Sequence, residues 1–239
     1  MKLYVLYNGF HGRLDFGSLG WGAVSVISTD RGPVLVDAGA PSQRNFFRER
    51  IKAIGYDFSD FKTILLTHAH WDHIYNIDLF PDAVIYISRK EIGFIKTQNA
   101  LAVHPYFTKA LLERDLIMFE DGQEILPGIT AFLTPGHTPG SSVFIFTQDD
   151  NVKTVIAGDA LKNRAEIVYG ASQTFNKEES MASIKKILSL GNHILPGHDG
   201  WIDVEDGKPI ARGGNDVVFI APANMTINGE KELVMHIDY

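Results

Sequence analysis

The chain has 239 residues, 45% of them hydrophobic and 21% charged, which suffices for one large domain or two small ones with a full core. A net charge of −7 and the lack of any lysine or arginine run disfavour an extended nucleic-acid surface, and zero cysteines exclude disulfides and thiolate metal ligands. No apolar run reaches membrane-spanning length, and the N-terminal residues read as a strand rather than a secretion signal, so a cytoplasmic protein with a small-molecule substrate is expected.

Residues 2–7 alternate and predict a first strand. The stretch Asn8–Gly22 follows, with Gly9, Gly12, Gly17, Gly20 and Gly22 and the aromatic residues Phe10, Phe16 and Trp21. Long glycine-rich connections often cover sites. His11 could reach such a site, although a lone loop histidine is ordinarily exposed to solvent. Ala23–Ser28 and Pro33–Val36 read as strands around an Asp30-Arg31-Gly32 turn, the second ending at Asp37-Ala38-Gly39. Ser42 can cap a helix through Phe46, Phe47, Ile51 and Ile54, stopped by Gly55.

The strand Lys62–Leu66 runs into Thr67-His68-Ala69-His70-Trp71-Asp72-His73, where three histidines and one aspartate fall within six positions. A short helix is expected over about 73–79, then a strand over Ala83–Ile87. Ser88 and Glu91 have capping-box spacing at the head of a further helix. Residues 97–109, with His104-Pro105-Tyr106-Phe107, are less regular and read as an insertion. Beyond it lie the strands Leu116–Phe119, Ile129–Leu133, Ser142–Thr147 and Lys153–Ala157. Asn176 can cap a helix over Met181, Ile184, Ile187 and Leu188, and Asn192–Leu195 is the next strand. Asp206-Gly207 and Asn228-Gly229 are hairpin signals. The rhythm of about 1–115 recurs in 116–239, which predicts one domain of two similar halves. Strands outnumber helices, so two facing sheets with helices outside would bury the apolar strands on both faces, an α+β architecture.

Imidazole and carboxylate are the ligands a borderline divalent metal takes. Four β-rich segments end in such residues: the 68–73 loop, His137, Asp159 and His198. Five motifs stand in order: Asp37, His68-Ala69-His70-Trp71-Asp72-His73, Pro135-Gly136-His137-Thr138-Pro139-Gly140, Gly158-Asp159 and Pro196-Gly197-His198. Together they resemble the metallo-β-lactamase superfamily over most of the chain. The resemblance implies a four-layer αββα sandwich with two divalent ions at the sheet edges, zinc before iron, manganese or cobalt. It implies that His68, His70 and His137 hold one ion, that Asp72, His73 and His198 hold the other, and that Asp159 bridges them. Asp37 would support the site without binding metal, because a ligating histidine needs its other ring nitrogen held.

Two ions roughly 3.5–4 Å apart generate hydroxide near neutral pH, so metal-assisted hydrolysis is the expected reaction, with Asp72 orienting the nucleophile or shuttling its proton. Among superfamily members, the chain resembles the N-acyl-homoserine lactonases and glyoxalase II. It lacks the tyrosine that lactonases place shortly after the bridging aspartate; the next tyrosine is Tyr169. Tyr169, Lys162, His104 and Tyr106 are the candidate substrate contacts, with Arg164 a further cation near the site. A phosphodiesterase of the same fold, a non-catalytic metal-binding protein and a mononuclear iron dioxygenase are the competing readings.

Overall fold

The computed structural model describes residues 1–15, 17–97, 103–212, 217–220, 225–226 and 228–235. Phe16, from the expected cover, and residues 98–102, from the expected pocket wall, lie outside them. The first strands are β1 (Lys2–Tyr7), β2 (Arg13–Leu14), β3 (Gly17–Ser18), β4 (Val24–Thr29), β5 (Gly32–Val36) and β6 (Thr63–Leu65), with helix α1 (Phe47–Ala53) between β5 and β6. Next come α2 (Trp71–Ile74), β7 (Val84–Ser88), α3 (Arg89–Thr97), α4 (Pro105–Leu112) and β8 (Leu116–Phe119). β9 (Gln123–Leu126), β10 (Ile129–Leu133), β11 (Ser142–Thr147) and β12 (Lys153–Gly158) precede α5 (Ala165–Tyr169) and α6 (Lys177–Leu190). The chain closes with β13 (His193–Pro196), β14 (Ile202–Glu205), β15 (Lys208–Ala211), β16 (Val217–Ile220) and β17 (Glu232–Met235).

Two large sheets carry the architecture. One has the order β1-β4-β5-β6-β7-β8 and the other β15-β14-β13-β12-β11-β10-β9. Both are mixed: β5, β6, β7 and β8 pair in parallel, as do β12 and β13, while the remaining neighbours are antiparallel. Strand periodicity distributes the apolar side chains. Val34 and Val36 of β5 face the space between the sheets, whereas Leu35 faces the outer helices. In β11, Phe144 and Phe146 face inward, and Val143 and Ile145 face outward beneath α6. Successive side chains point to opposite faces, so two packed faces need two apolar sets on each strand. The result is three apolar layers between four layers of structure, the αββα sandwich. Among the described residues, no helix is long and apolar enough to cross a membrane.

Several local expectations change. β8, with which the sequence reading opens the second half, is an edge strand of the first sheet. The expected Ser42-capped helix begins as a 3-10 turn over Pro41–Phe46, and Gln43 replaces Ser42 as its fastener, accepting the Ala40 N–H at 2.7 Å. The stretch read as irregular contains α4, whose cap is His104: its Nδ1 accepts the Tyr106 N–H at 3.3 Å. Asn176 does cap α6, its Oδ1 accepting the N–H groups of Glu178 and Glu179. Asp206-Gly207 turns β14 into β15 with left-handed φ at both residues. Asn228-Gly229 also has left-handed φ at both residues and lies between the antiparallel strands β16 and β17.

Candidate metal centre

Parallel pairing gathers the chemistry at one rim. β5 ends at Asp37, β6 runs into His68, β12 ends at Gly158-Asp159 and β13 runs into Gly197-His198. Parallel strands point their carboxyl ends the same way, so loops far apart in sequence converge there. The β10–β11 connection adds His137, and α2 starts at Trp71 with Asp72 and His73 in its only turn. Gly158 has φ +48, and its Cα lies against Thr67, an approach that leaves no room for a side chain.

Three groups of potential ligands result: His68, His70 and His137; Asp72, His73 and His198; and His68, His73 and Asp159, each with its donor atoms within 4.8 Å of one another. Asp159 lies between the histidines. Its Oδ1 is 3.1 Å from His73 Nε2, and its Oδ2 is 3.2 Å from His137 Nε2 and 3.1 Å from His198 Nε2. Asp72 Oδ2 lies 3.5 Å from His198 Nε2 and 3.9 Å from His73 Nε2. His70 Nδ1 and His137 Nε2 are 2.9 Å apart.

On His73, His68 and His198 the other ring nitrogen is tied down. Asp37, held at φ +57, accepts the Thr67 N–H on Oδ1 at 2.9 Å. Its Oδ2 accepts the Thr67 hydroxyl and His73 Nδ1–H, both at 2.8 Å. That leaves the His73 Nε2 lone pair for the site. His68 Nδ1 rests on Thr67 Oγ1 at 3.1 Å, and His198 Nδ1 donates to the Phe10 carbonyl at 3.2 Å.

The donor set fits a cation. His68 Nε2 is buried with no hydrogen-bond partner, and the buried His73 Nε2 and Asp159 Oδ1 lie 3.1 Å apart without an aligned bond between them. Unpaired buried polar atoms are costly unless something satisfies them. Burial, with His73 and His70 adding repulsion, holds His68 well below the ordinary imidazole value; burial also lowers His137 well below it and His70 to about 4. These three rings are neutral lone-pair donors. Burial opposes charge on His73 and His198 too, but Asp159 and the other carboxylates outweigh it and raise both. Burial is likewise overcome at Asp159, where His198, His73 and His137 hold the carboxyl well below its usual range. Neutral imidazoles against carboxylates are the combination that divalent ions take from protons.

None of the expected substrate contacts is among the grouped ligand residues, although the Lys162 carbonyl accepts the His198 N–H at 2.6 Å. Lys162 is buried and paired with Glu166 at 3.0 Å, its Nζ also donating to the Ser172 carbonyl. Arg164 is bound by Asp199 through its backbone N–H at 3.0 Å, Nε at 2.9 Å and Nη2 at 2.8 Å. A desolvated cation needs a carboxylate, and both acquire one inside the protein. Tyr169 stands 81% exposed at the end of α5, and Tyr106 is 70% exposed beside Phe107. His104 spends Nδ1 on the α4 cap.

Two residues that the sequence reading left outside the site belong near it. His11 places its ring 5.5 Å from that of His198, and burial, then His198, holds its imidazole below the ordinary value. It arrives because Gly9 packs on Gly197 without a side chain between them, while Phe10 and Trp21 exchange backbone bonds. Glu91 is fully buried beside both histidine loops, and burial pushes its carboxyl up to about 7.

Known proteins resemble this chain in sequence and in fold. Metallo-beta-lactamase domain-containing protein 1 of Mus musculus is 27% identical over 169 residues, 70% of this chain but only 60% of the mouse protein. N-acyl homoserine lactonase of Bacillus thuringiensis is 26% identical over 205 residues, spanning 73% of this chain and 79% of the lactonase. A crystal structure of a B. thuringiensis AiiA mutant with N-decanoyl-L-homoserine at its active site shares the fold, with TM-score 0.69 and 21% identity over 83% of this chain and 93% of that one. Residues 20–198 match the family described as the metallo-beta-lactamase superfamily. That segment runs from the glycine-rich loop to His198 and contains every ligand-type residue of the cluster, and on this ground the chain belongs to the metallo-beta-lactamase superfamily.

Proposed function

We propose that the chain is a dinuclear metal-dependent hydrolase that cleaves a carbonyl ester bond of a small molecule, with lactones the first class to test and thioesters and open esters next. One observation carries this reading: two three-residue ligand groups share a rim, and a single carboxylate, Asp159, reaches histidines of both. His68, His70 and His137 would hold one ion, Asp72, His73 and His198 the other, and Asp159 would contact both. Zinc suits these nitrogen and oxygen donors best, and iron, manganese or cobalt also fit. Bound there, two divalent ions supply an activated water and a Lewis acid for the attacked oxygen.

The chain's own residues do the rest. Asp72, whose Oδ2 lies 3.5 Å from His198 Nε2, would orient the nucleophilic water and accept its proton. His11 stands at the same rim, its ring 5.5 Å from that of His198, and would offer the substrate a hydrogen-bonding ring. A cavity of about 380 Å³ lined by Tyr7, Trp21, Phe46 and Arg50 adjoins the loop that carries Gly22, whose Cα abuts His73. None of the ligand-type residues lines it, and Asn8, Ser42 and Gln43 stand beside its aromatic rings. The pairing of Lys162 with Glu166 and of Arg164 with Asp199 favours a carbonyl over a phosphodiester, since both nearby cations are already neutralised.

The test is metal analysis of the purified protein, then turnover of a lactone, thioester, ester and phosphodiester panel with and without chelator. Lactone or thioester hydrolysis lost in chelator, restored by zinc and absent in His70→Ala is expected. Hydrolysis that survives complete metal removal, or turnover confined to phosphodiesters, refutes the proposal.

A further inference from the structure

One carboxylate outside the ligand set touches both loops of the three-histidine group. Glu91 sits in the first turn of α3, fully buried. Its Oε1 accepts the Ala69 N–H at 2.9 Å, and its Oε2 accepts the Thr138 hydroxyl at 2.6 Å. Ala69 lies between His68 and His70, and Thr138 directly follows His137. The same turn makes a third attachment: Ser88 Oγ accepts the Glu91 N–H at 3.0 Å and donates to the Gly140 carbonyl at 2.7 Å. Gly140 lies so close to the Glu91 backbone that a Cβ there would overlap it. Ser141 Oγ completes the network, 2.8 Å from Thr138 Oγ1.

Anchoring α3 does not require this carboxylate. Ile92, Phe94 and Ile95 already bury the helix in the first apolar layer. A buried carboxylate is a poor substitute for an apolar side chain where only packing is needed. What it supplies is direction: two fixed acceptors that set the distance between loops some seventy residues apart. The other group is held differently, with His73 on Asp37 and His198 on the Phe10 carbonyl.

We propose that Glu91 is a positioning residue for the three-histidine position, bracing the His68–His70 loop against the His137 loop and thereby setting the affinity of that position for its metal ion. This rests on the two-metal reading above. Glu91 touches backbone and hydroxyl groups, not the ligand rings, so it acts through the loops.

The experiment titrates zinc into metal-free wild type, Glu91→Leu, Glu91→Gln and Thr138→Val against a competing chromophoric chelator, and follows thermal unfolding of each metal-free protein. Glu91→Leu keeps the volume and removes both acceptors. It is expected to weaken one of two zinc equivalents by about tenfold or more and to leave the other within about threefold, the range for losing a group that orients metal ligands. Glu91→Gln keeps the Ala69 bond and donates to Thr138 Oγ1, so both equivalents should stay within about threefold of wild type. Should Glu91→Leu not fold, Thr138→Val, which removes only the hydroxyl on Oε2, is expected to weaken the same single equivalent by about threefold or more. A folded Glu91→Leu, or in its absence Thr138→Val, with two wild-type affinities overturns the brace, whatever its melting temperature; so does an equal loss at both equivalents. Wild type that binds no zinc sinks the metal reading itself, whereas normal wild type with normal variants sinks only the brace.

Discussion

Asp37→Asn isolates the support of the metal centre from backbone effects. Asp37 sits at φ +57, and asparagine tolerates that left-handed conformation nearly as well as aspartate, so the fold should survive. The side chain cannot do the same work. Asparagine retains one acceptor, which suffices for the Thr67 N–H, but places an amide N–H₂ where Oδ2 accepts both the Thr67 hydroxyl and His73 Nδ1–H. Two charge-assisted bonds of about 1.5–3 kcal/mol each are then at stake. The protein can recover one of them by moving the His73 proton from Nδ1 to Nε2, which aims an N–H at the ligand cluster instead of a lone pair. Thr67 Oγ1 can turn to accept from the new amide, which takes support from His68 Nδ1, now 3.1 Å away. Both ligand groups are therefore disturbed. The expected loss in metal affinity is about 10–100-fold, or about 1.4–2.7 kcal/mol, at both equivalents. Zinc titration against a competing chelator measures it, and urea melts of the metal-free protein report the fold. Asp37→Asn that binds two equivalents as tightly as wild type would refute the claim that the Asp37 carboxylate selects the His73 tautomer.

Three further outcomes are expected. A Cβ on Gly22 would stand 2.7 Å from His73 Cε1 and 2.8 Å from His73 Nε2, so Gly22→Ala should displace that ring and lower retained metal after dialysis against chelator by about tenfold, with an unchanged circular dichroism spectrum; wild-type retention would contradict this. Lys162→Met leaves the Glu166 carboxylate buried without its cation and should cost about 3–5 kcal/mol in urea melts, while KM of the folded, metal-loaded protein stays unchanged. A rise in KM confined to carboxylate-bearing substrates would instead return Lys162 to the binding site. Burial holds His70 at about 4 against an ordinary 6.5, so the unfolded chain binds a proton that the folded site refuses. That contribution is present above pH 6.5 and is lost as pH falls through about 4, and metal-free His70→Gln should show a flatter acid limb of stability over this window. Equal slopes for wild type and variant would remove the argument.

The residues nearest in sequence were the easiest to read. His68, His70, Asp72 and His73 lie on one loop and a single helical turn, so their crowding is visible without any tertiary contact. The strands β5 and β11 and the Asn176 cap of α6 are equally local, because strand runs and capping are settled within a few residues. β9 escaped notice because Gln123-Glu124-Ile125-Leu126 is short and half polar. α4 escaped because its proline start and histidine cap resemble a loop.

The amino-acid sequence by itself determined the type of site: nitrogen and oxygen ligands without sulfur, spaced on strand ends, and a chain patterned for two doubly covered sheets. Tertiary structure decided which charges that site can use. Lys162 and Arg164 read as cations near a substrate, but the fold pairs them with Glu166 and Asp199. Ser88 and Glu91 read as a capping box; Ser88 does take the Glu91 N–H, yet the carboxylate crosses to Ala69 and Thr138. His11 read as a loop residue, and only the seating of Gly9 on Gly197 brings it beside His198. The physical reason is common to all of them. A buried charged or hydrogen-bonding group takes its role from whichever partner desolvation forces on it, and here most of those partners are supplied by a different strand end or loop.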